Sequence, residues 1–447
     1  MHQSSMFILM GALVPLFVCG SYQCGTHCDP PMDCGPTSPD SPYNWIKDTS
    51  LESEVIDNRI PVIPDRVTVD LSLPPAKRWV EVGKQYADKA DLIIEYFDDM
   101  LPHPVVLAID KIASHLVGYK GFGDFGEEMK GYAEGLGIDL GYVVAANLVY
   151  QLESVGNTCD SWNNTGPTGM CDDDDWSPSM KKESNDADIV WYESEHYKRT
   201  NTGKVKTGIC TSVVSNEASN SKIIHGRNLD WNLEESLRAL ILTVDFVRGE
   251  EYLYTASSII SFVGILNAMK PGDDGFSFSM DARCQGGKLW ANLMESLAKG
   301  AMTPCQHSRV VMENSNNFDE ALANFGSGDL IDDGYFIVGG ARPFDGAVVT
   351  RGRNRVIDVW NMDETDEKKG WYRLETNYDH WSGVPSADDR RTPGYKNMES
   401  VGAENMDEDS MLAIMKSWPT YNEHTDLTCV MNAKENYYDC MWWSDNK

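Results

Sequence analysis

Basic residues are scarce in this 447-residue chain, with 38 Lys and Arg against 69 Asp and Glu and a formal charge of −31. A surface of that sign repels phosphate backbones and anionic headgroups, so no nucleic-acid partner is expected. It suits a protein working in acid, where protonation relieves carboxylate repulsion, and it suits plain solubility equally well. Histidine is sparse too, with 9 residues scattered without metal-ligand spacing, so no catalytic metal is expected. The chain lacks a G-x-S-x-G elbow, a P-loop and an H-E-x-x-H pair, and no cofactor is expected. "GFGDFG", Gly121 to Gly126, matches G-x-G-x-x-G literally. It follows no strand and places Asp124 where a phosphate would lie, so it reads as a turn.

Long apolar runs are also missing, with one exception. "MFILMGALVPLFVCG", Met6 to Gly20, carries no charge and is too short to span a bilayer comfortably. Small residues follow it, and residues 1–20 read as a cleaved signal peptide that sends the chain into the secretory pathway. Cysteine usage agrees with an oxidising compartment. Of 11 cysteines, Cys19 leaves with the signal, while Cys24, Cys28 and Cys34 cluster early. Cys159 with Cys171, and Cys429 with Cys440, close short loops and are the disulfide candidates. Setting aside Cys19 and Cys210, nine remain, so at least one is unpaired or bonds another chain.

With 41% hydrophobic and 10% aromatic residues the chain is globular. Residues 21–59 form an irregular Pro- and Gly-rich arm. "RVTVDLSLPP", Arg66 to Pro75, alternates like an edge strand and ends in two prolines. Residues 78–153 carry helical periodicity. Residues 156–206 are polar and acidic, with "CDDDDW" at Cys171–Trp176 and a glycosylation sequon at Asn163, and read as an exposed insertion. The Asp run lacks the glycine and distal glutamate of a calcium loop. Strands are expected at 208–215, 222–229, 238–247, 251–256 and 259–267, with helices between 289 and 325. Strands follow from Tyr335, Gly346, Arg355 and Gly370. A helix near Asp409–Trp418 then precedes a hairpin through Cys429 and Cys440. That order predicts an α+β fold of sheets with helices outside.

"TGICTSVVS", Thr207 to Ser215, starts a strand on a cysteine. The chain turns at "NEASNS" and returns as "KIIHGRNLD". A turn centred between Ala218 and Ser219 sets Cys210 opposite Arg227, about 5 Å away. A guanidinium there lowers a thiol pKa and favours the nucleophilic thiolate. Asp230 ends the same strand. An ordinary hairpin with an Arg–Asp pair explains the pattern equally well. No histidine base accompanies Cys210. If the chain were cut before Cys210, its own amine, with a pKa of about 8, could take the thiol proton. The exposed insertion just before it makes such a cut topologically harmless.

"ICTSVV", "IIHGRNLDW", "YFIVGG", "VVTRGR", "ETNYDHW" and "DDRRTP" together resemble the acid ceramidase and N-acylethanolamine-hydrolysing acid amidase family of N-terminal nucleophile hydrolases. The likeness is strong from Thr207 to about Ala433 and weak from Val62 to Glu153. It implies an αββα sandwich of two antiparallel sheets between helical layers. It also implies autocleavage between Ile209 and Cys210. A propeptide-side α-subunit (21–209) and a catalytic β-subunit (210–447) would then stay associated. Cys210 would be the nucleophile, with Arg227 and Asp230 orienting thiol and amine. Asn377 would donate to the oxyanion, a contact worth about 3 kcal/mol. Arg390 would complete the pocket. Read without the resemblance, Asn377 caps a turn and Arg390 pairs with Asp388 or Asp389. Departures are the long insertion at the cleavage site and Asn397, which stands where the family has a cysteine.

The implied substrate is a fatty amide, with N-acylethanolamines favoured by the short run from "HGRNLDW" to "LTVDF" and ceramide as the alternative. Contact with lipid vesicles and a lysosomal or secreted destination follow as expectations. "SFVGILNAMKPG", Ser261 to Gly272, is either a lipid-facing rim or a buried strand. Two other readings remain: a non-catalytic lipid-binding protein on the same scaffold, and a thiol protease. The latter needs a downstream histidine, and His307 and His380 have no supporting signature.

Overall fold

Two textures alternate along the chain, and they sort into four layers. The computed structural model describes residues 59–100, 123–157, 209–218, 222–283, 301–366, 369–384 and 388–445. The N-terminal part gives strands β1 (Ile60–Val62) and β2 (Asp65–Asp70), then helices α1 (Val80–Gln85), α2 (Ala90–Met100), α3 (Gly123–Leu136) and α4 (Leu140–Asn157). Next come β3 (Ile209–Asn216), β4 (Ile223–Asp230), α5 (Glu235–Arg238), β5 (Ile241–Arg248), β6 (Glu251–Ile259), β7 (Asn267–Lys270) and β8 (Phe276–Ala282). Helices α6 (Pro304–Asn314) and α7 (Phe318–Phe325) precede β9 (Gly334–Gly339), β10 (Gly346–Arg351), β11 (Val356–Asn361) and β12 (Tyr372–Glu375). The chain closes with α8 (Arg391–Val401), α9 (Glu408–Met415), β13 (Thr425–Asn432) and β14 (Tyr437–Ser444).

One sheet runs β1-β14-β13-β4-β3-β12, the other β11-β10-β9-β8-β7-β6-β5-β2. Side chains of β3 and β4 meet those of β8 across the gap, as in the Ser212–Asp281 and His225–Ser279 hydrogen bonds. Helices α8 and α9 cover the outer face of the smaller sheet. Gly226 makes their approach close, because a Cβ there would sit 2.6 Å from the Met411 sulfur. The other outer face carries α6, α7 and the N-terminal helices. Trp79 is wholly buried there, stacked on Tyr132 at 5.0 Å and edge-on to Phe246 at 6.0 Å. This is the αββα sandwich.

Three expectations are corrected. The larger sheet is not purely antiparallel, since its edge strand β2 pairs parallel with β5. The two strands are separated by the whole helical segment, and a connection that long can enter a sheet edge in either direction. Residues 260–266 are not a strand. Asn147 of α4 bonds Ser261 O and Val263 N, and this side-chain clamp replaces ladder bonds. "GFGDFG" is not a simple turn, because from Gly123 onward it is the first turn of α3, entered at φ +45°. Gly121 and Phe122 lie outside the described residues.

The hairpin of β13 and β14 carries the Cys429–Cys440 disulfide between paired residues, as expected. The bridge closes a separation of 11 residues. Cys429→Ser is expected to cost about 3 kcal/mol by loop-closure entropy, read from urea midpoints. The signal peptide, Asn163, Cys159, Cys171 and the insertion lie outside the described residues. Asn397 donates to Ser417 Oγ at 2.7 Å, so a hydrogen bond stands at the position where the resemblance implies a cysteine.

Candidate active site

Strand β3 begins one residue before Cys210 and is held between β4 and β12. The pairing sets Cys210 opposite Leu229 and Ser212 opposite Arg227. The expected Cys210–Arg227 pairing is therefore off by two residues, because the two strands pair about a point one residue further along the chain than assumed. Side chains alternate with period two, so an offset of two leaves Arg227 on the same face as Cys210. Arg227 Nη2 reaches diagonally to Cys210 Sγ at 3.7 Å. The guanidinium is fixed by Met280 O at 3.0 Å and Asn267 Oδ1 at 3.0 Å.

Both backbone groups of Cys210 are held by the other expected residues. Its N–H donates to Asn377 Oδ1 at 2.5 Å, and its carbonyl accepts from Arg390 Nη1. Asn377 sits at φ +72°, in the left-handed region that asparagine tolerates better than most residues. Its Nδ2 donates to Ala282 O at 2.8 Å. In the uncut chain Asn377 is thus an acceptor toward Cys210 through Oδ1, and an oxyanion-donor role falls to the second N–H of Nδ2, the first being on Ala282 O. Arg390 also grips Asp388 through two bonds of 2.7 Å, donates to Asn377 Oδ1 at 3.0 Å and lies 3.9 Å from Asp230. The Asp388 pair and the site role of Arg390 therefore coexist.

Asp230 pairs with Ile209 across the strands and accepts from Thr425 Oγ1 at 2.6 Å and Asn422 Nδ2 at 3.2 Å. Burial pushes its carboxyl up to about 6, with Arg390 pulling the other way. All five expected site residues converge on one end of β3.

The histidine of a thiol protease is not delivered by either candidate. His307 packs edge-on against Phe325 and Phe336, and His380 stacks on Trp360 at 4.2 Å. Burial lowers both rings to about 4. Cys305 is a second buried free thiol whose pKa burial raises, which makes it inert by comparison.

An apolar pocket of about 50 Å³ opens beside the site, lined among others by Ile93, Phe97, Trp231, Leu237, Ile260 and Phe262. Trp231 follows Asp230 directly, which places the pocket wall next to the Ile209–Cys210 junction. The span 261–272 therefore divides. Ser261 and Phe262 face the pocket, Val263 to Leu266 are core, and β7 lies inside the sheet.

A family model described as linear amide C–N hydrolases of the choloylglycine hydrolase family matches residues 210–402. A model of the beta subunit of N-acylethanolamine-hydrolyzing acid amidase matches residues 63–121. The chain is 35% identical over 229 residues to the N-acylethanolamine-hydrolyzing acid amidase of Rattus norvegicus, covering 51% of this chain and 62% of that protein. It is 28% identical over 393 residues to the acid ceramidase of Pan troglodytes, covering 83% and 84%. The chain is thus similar to the acid ceramidases and the N-acylethanolamine acid amidases. A solved Caenorhabditis elegans ortholog of the amidase is 32% identical, with a TM-score of 0.45, covering 50% of this chain and 92% of that one. The chain spans 62% of the length of the rat amidase it matches.

Within this site, four buried groups escape a reading by sequence. Asp281 and Glu375 are wholly buried carboxyls whose pKa values burial raises to about 7 and about 8, opposed by Arg227 and Arg391 respectively. Ser212 donates to Asp281 Oδ1 at 2.8 Å and is the cross-strand partner of Glu375. Asn267 holds Arg227. Glu375 lies inside "ETNYDHW" and could have been noticed. Asp281 and Asn267 sit in strands of the opposite sheet, and only sheet-on-sheet packing brings them in.

Proposed function

We propose that this protein hydrolyses the amide bond of fatty-acid amides, with Cys210 as an N-terminal nucleophile freed by self-cleavage. The observation that carries the reading is the joint grip on Cys210. Its thiol lies under Arg227, its amide is on Asn377 and its carbonyl is on Arg390, beside an apolar pocket. In the cleavage step Sγ adds to the carbonyl carbon of Ile209. The C–N bond to Cys210 breaks, and the nitrogen takes the thiol proton. Water then hydrolyses the thioester, leaving a carboxylate on Ile209 and an amine and thiol on Cys210. The same Asn377 oxygen that accepts from the amide is placed to hold that new amine.

In turnover the thiolate–ammonium pair of Cys210 is the reactive form. The thiolate adds to the substrate carbonyl, and Arg227 favours it electrostatically. The amine returns a proton to the leaving nitrogen, and water releases the fatty acid from the thioester. The apolar wall of α2 and Trp231 offers the acyl chain a surface to lie on, and the pocket of about 50 Å³ there must widen to take it. Identity of 35% to the amidase over 229 residues, against 28% to the ceramidase over 393, supports N-acylethanolamines as substrate, with ceramide second. The acidic charge balance and the apolar N-terminal run support an acidic compartment reached by secretion, the lysosome foremost.

The test is turnover of palmitoylethanolamide and ceramide by the wild-type chain and by Cys210→Ala. Release of fatty acid by wild type alone supports the proposal, and the faster lipid identifies the substrate. A folded wild-type chain inert on both, binding lipid all the same, would favour the non-catalytic reading. Asn377→Ala is expected to slow turnover about 10²-fold or more, the usual cost of losing such a contact at a reacting centre.

A further inference from the structure

Asp281 stands between two backbone anchors of the site. The carbonyl of Met280 receives Arg227 Nη2, and the carbonyl of Ala282 receives Asn377 Nδ2. The Asp281 side chain points the other way along the strand alternation, into the seam between the sheets. Its Oδ1 accepts from Ser212 Oγ, which accepts from Ser279 Oγ at 2.8 Å, which in turn contacts His225 Nε2 at 2.8 Å. Its Oδ2 is buried with no hydrogen-bond partner. Both serine hydroxyls donate toward Oδ1, so Oδ2 is the atom left to carry or lose a proton. Ser212 is two residues along β3 from Cys210 and is paired to Arg227.

We propose that Asp281 is a positioning residue for the nucleophile, acting through Ser212 and Arg227 to set the charge that Cys210 meets. A protonated Asp281 leaves the guanidinium uncompensated, and Arg227 then stabilises the thiolate. An ionised Asp281 takes part of that positive charge for itself and adds a negative charge near the forming thiolate. The charged groups facing Asp281 are Arg227 and Asp230 from β4, Arg390 at the start of α8 and Glu375 from β12. His225, at the far end of the serine chain, is held neutral because burial, helped by Arg227, lowers it to about 3. The carboxyl of Asp281, raised to about 7 by burial against the pull of Arg227, changes charge within the range where an acid-adapted site would lose activity.

The kinetic arm of the test rests on the amidase reading, and the spectroscopic arm does not. First, kcat/KM against pH is compared for wild type and Asp281→Asn. Wild type is expected to fall on the alkaline side near pH 7, and the variant to keep its acid rate and lose that limb. One unit above it, the variant's rate relative to acid should exceed wild type by about tenfold. Second, the ultraviolet thiolate absorbance of Cys210, taken as a difference against Cys210→Ala, is titrated in both proteins. The thiol should ionise more readily near neutral pH in Asp281→Asn. If Asp281→Asn fails to fold, Ser212→Ala cuts the same link and should move the same limb. An unchanged limb together with an unchanged thiol titration overturns the proposal. A shifted titration without turnover in wild type sinks the amidase reading and leaves this one standing.

Discussion

Raising the pH from about 6.5 to about 8 is expected to destabilise the fold, by on the order of 3 kcal/mol from Asp281 and Glu375. Both carboxyls are buried, and their folded pKa values lie above the unfolded ones. Between those values the folded chain binds more protons than the unfolded chain, so stability falls as pH rises. Asp230, raised to about 6 by burial, and Asp426, also raised by burial, act in the same direction. Below about pH 6.5 an opposing set intervenes. Burial lowers His225, His307 and His380, so the unfolded state binds the extra protons there and stability rises with pH. The two sets offset each other in acid, and only the carboxyl slope survives above 6.5. A thermal melt series should therefore be nearly level from about pH 5 to 6.5 and fall by several degrees toward 8. Glu375→Gln should flatten that fall. A melting temperature that rises steadily to pH 8 would contradict the buried, uncharged state of these carboxyls.

Removing Glu128 is expected to cost about 3–5 kcal/mol, the usual consequence of orphaning a buried charge. Glu128 is wholly buried in α3 and receives Trp79 Nε1 at 2.7 Å, Arg78 Nη1 at 2.8 Å and both terminal nitrogens of Arg309. Burial opposes its charge, and Arg309 and Arg78 outweigh burial, so its pKa is lowered. Arg309 also lies over the rings of Phe125 at 4.9 Å and Phe246 at 5.0 Å. Arg78, Trp79 and Glu128 precede residue 209, whereas Arg309 follows it. If the chain is cut before Cys210, this cluster ties the two pieces without a covalent bond. Glu128→Ala should lower the urea midpoint of the uncut chain and let the cut pieces separate by size exclusion, while wild-type pieces co-elute. Lys77→Ala is the control. Its pair with Glu134 spans 3.3 Å on an exposed surface, and removing it should change little. Co-elution of the Glu128→Ala pieces at wild-type stability would contradict this role.

Much of the architecture was legible because local rules carry it. The alternation and prolines of residues 66–75 mark an edge strand, and β2 is one. The apolar periods after Tyr335 and Gly346 give β9 and β10, and the short Cys429–Cys440 separation gives the paired hairpin. Two of the misses share a cause, since each depends on a distant partner. Residues 260–266 are as apolar as a strand, but Asn147 from α4 and backbone groups of Leu240, Ser257 and Cys305 take hydrogen bonds a ladder would make. The parallel entry of β2 depends on a sheet edge formed by β5. At the site, Cys210, Arg227 and Asp230 were readable from one hairpin, and the two-residue error in register did no harm because it preserved the face. Asn377 and Arg390 came only through family likeness, since nothing local distinguishes them from a turn cap and a surface ion pair. Asp281 carries no local signal at all, for its neighbours belong to the opposite sheet.

Cys210 is expected to become an N-terminus. The most direct test is the intact mass of the purified chain before and after incubation at about pH 5, where neighbouring carboxyls are protonated. Two fragments are expected, with masses that place the break between Ile209 and Cys210, and Cys210→Ala remains whole. A wild-type chain that stays intact while hydrolysing fatty amides, or a Cys210→Ala chain cut at the same bond, would contradict it.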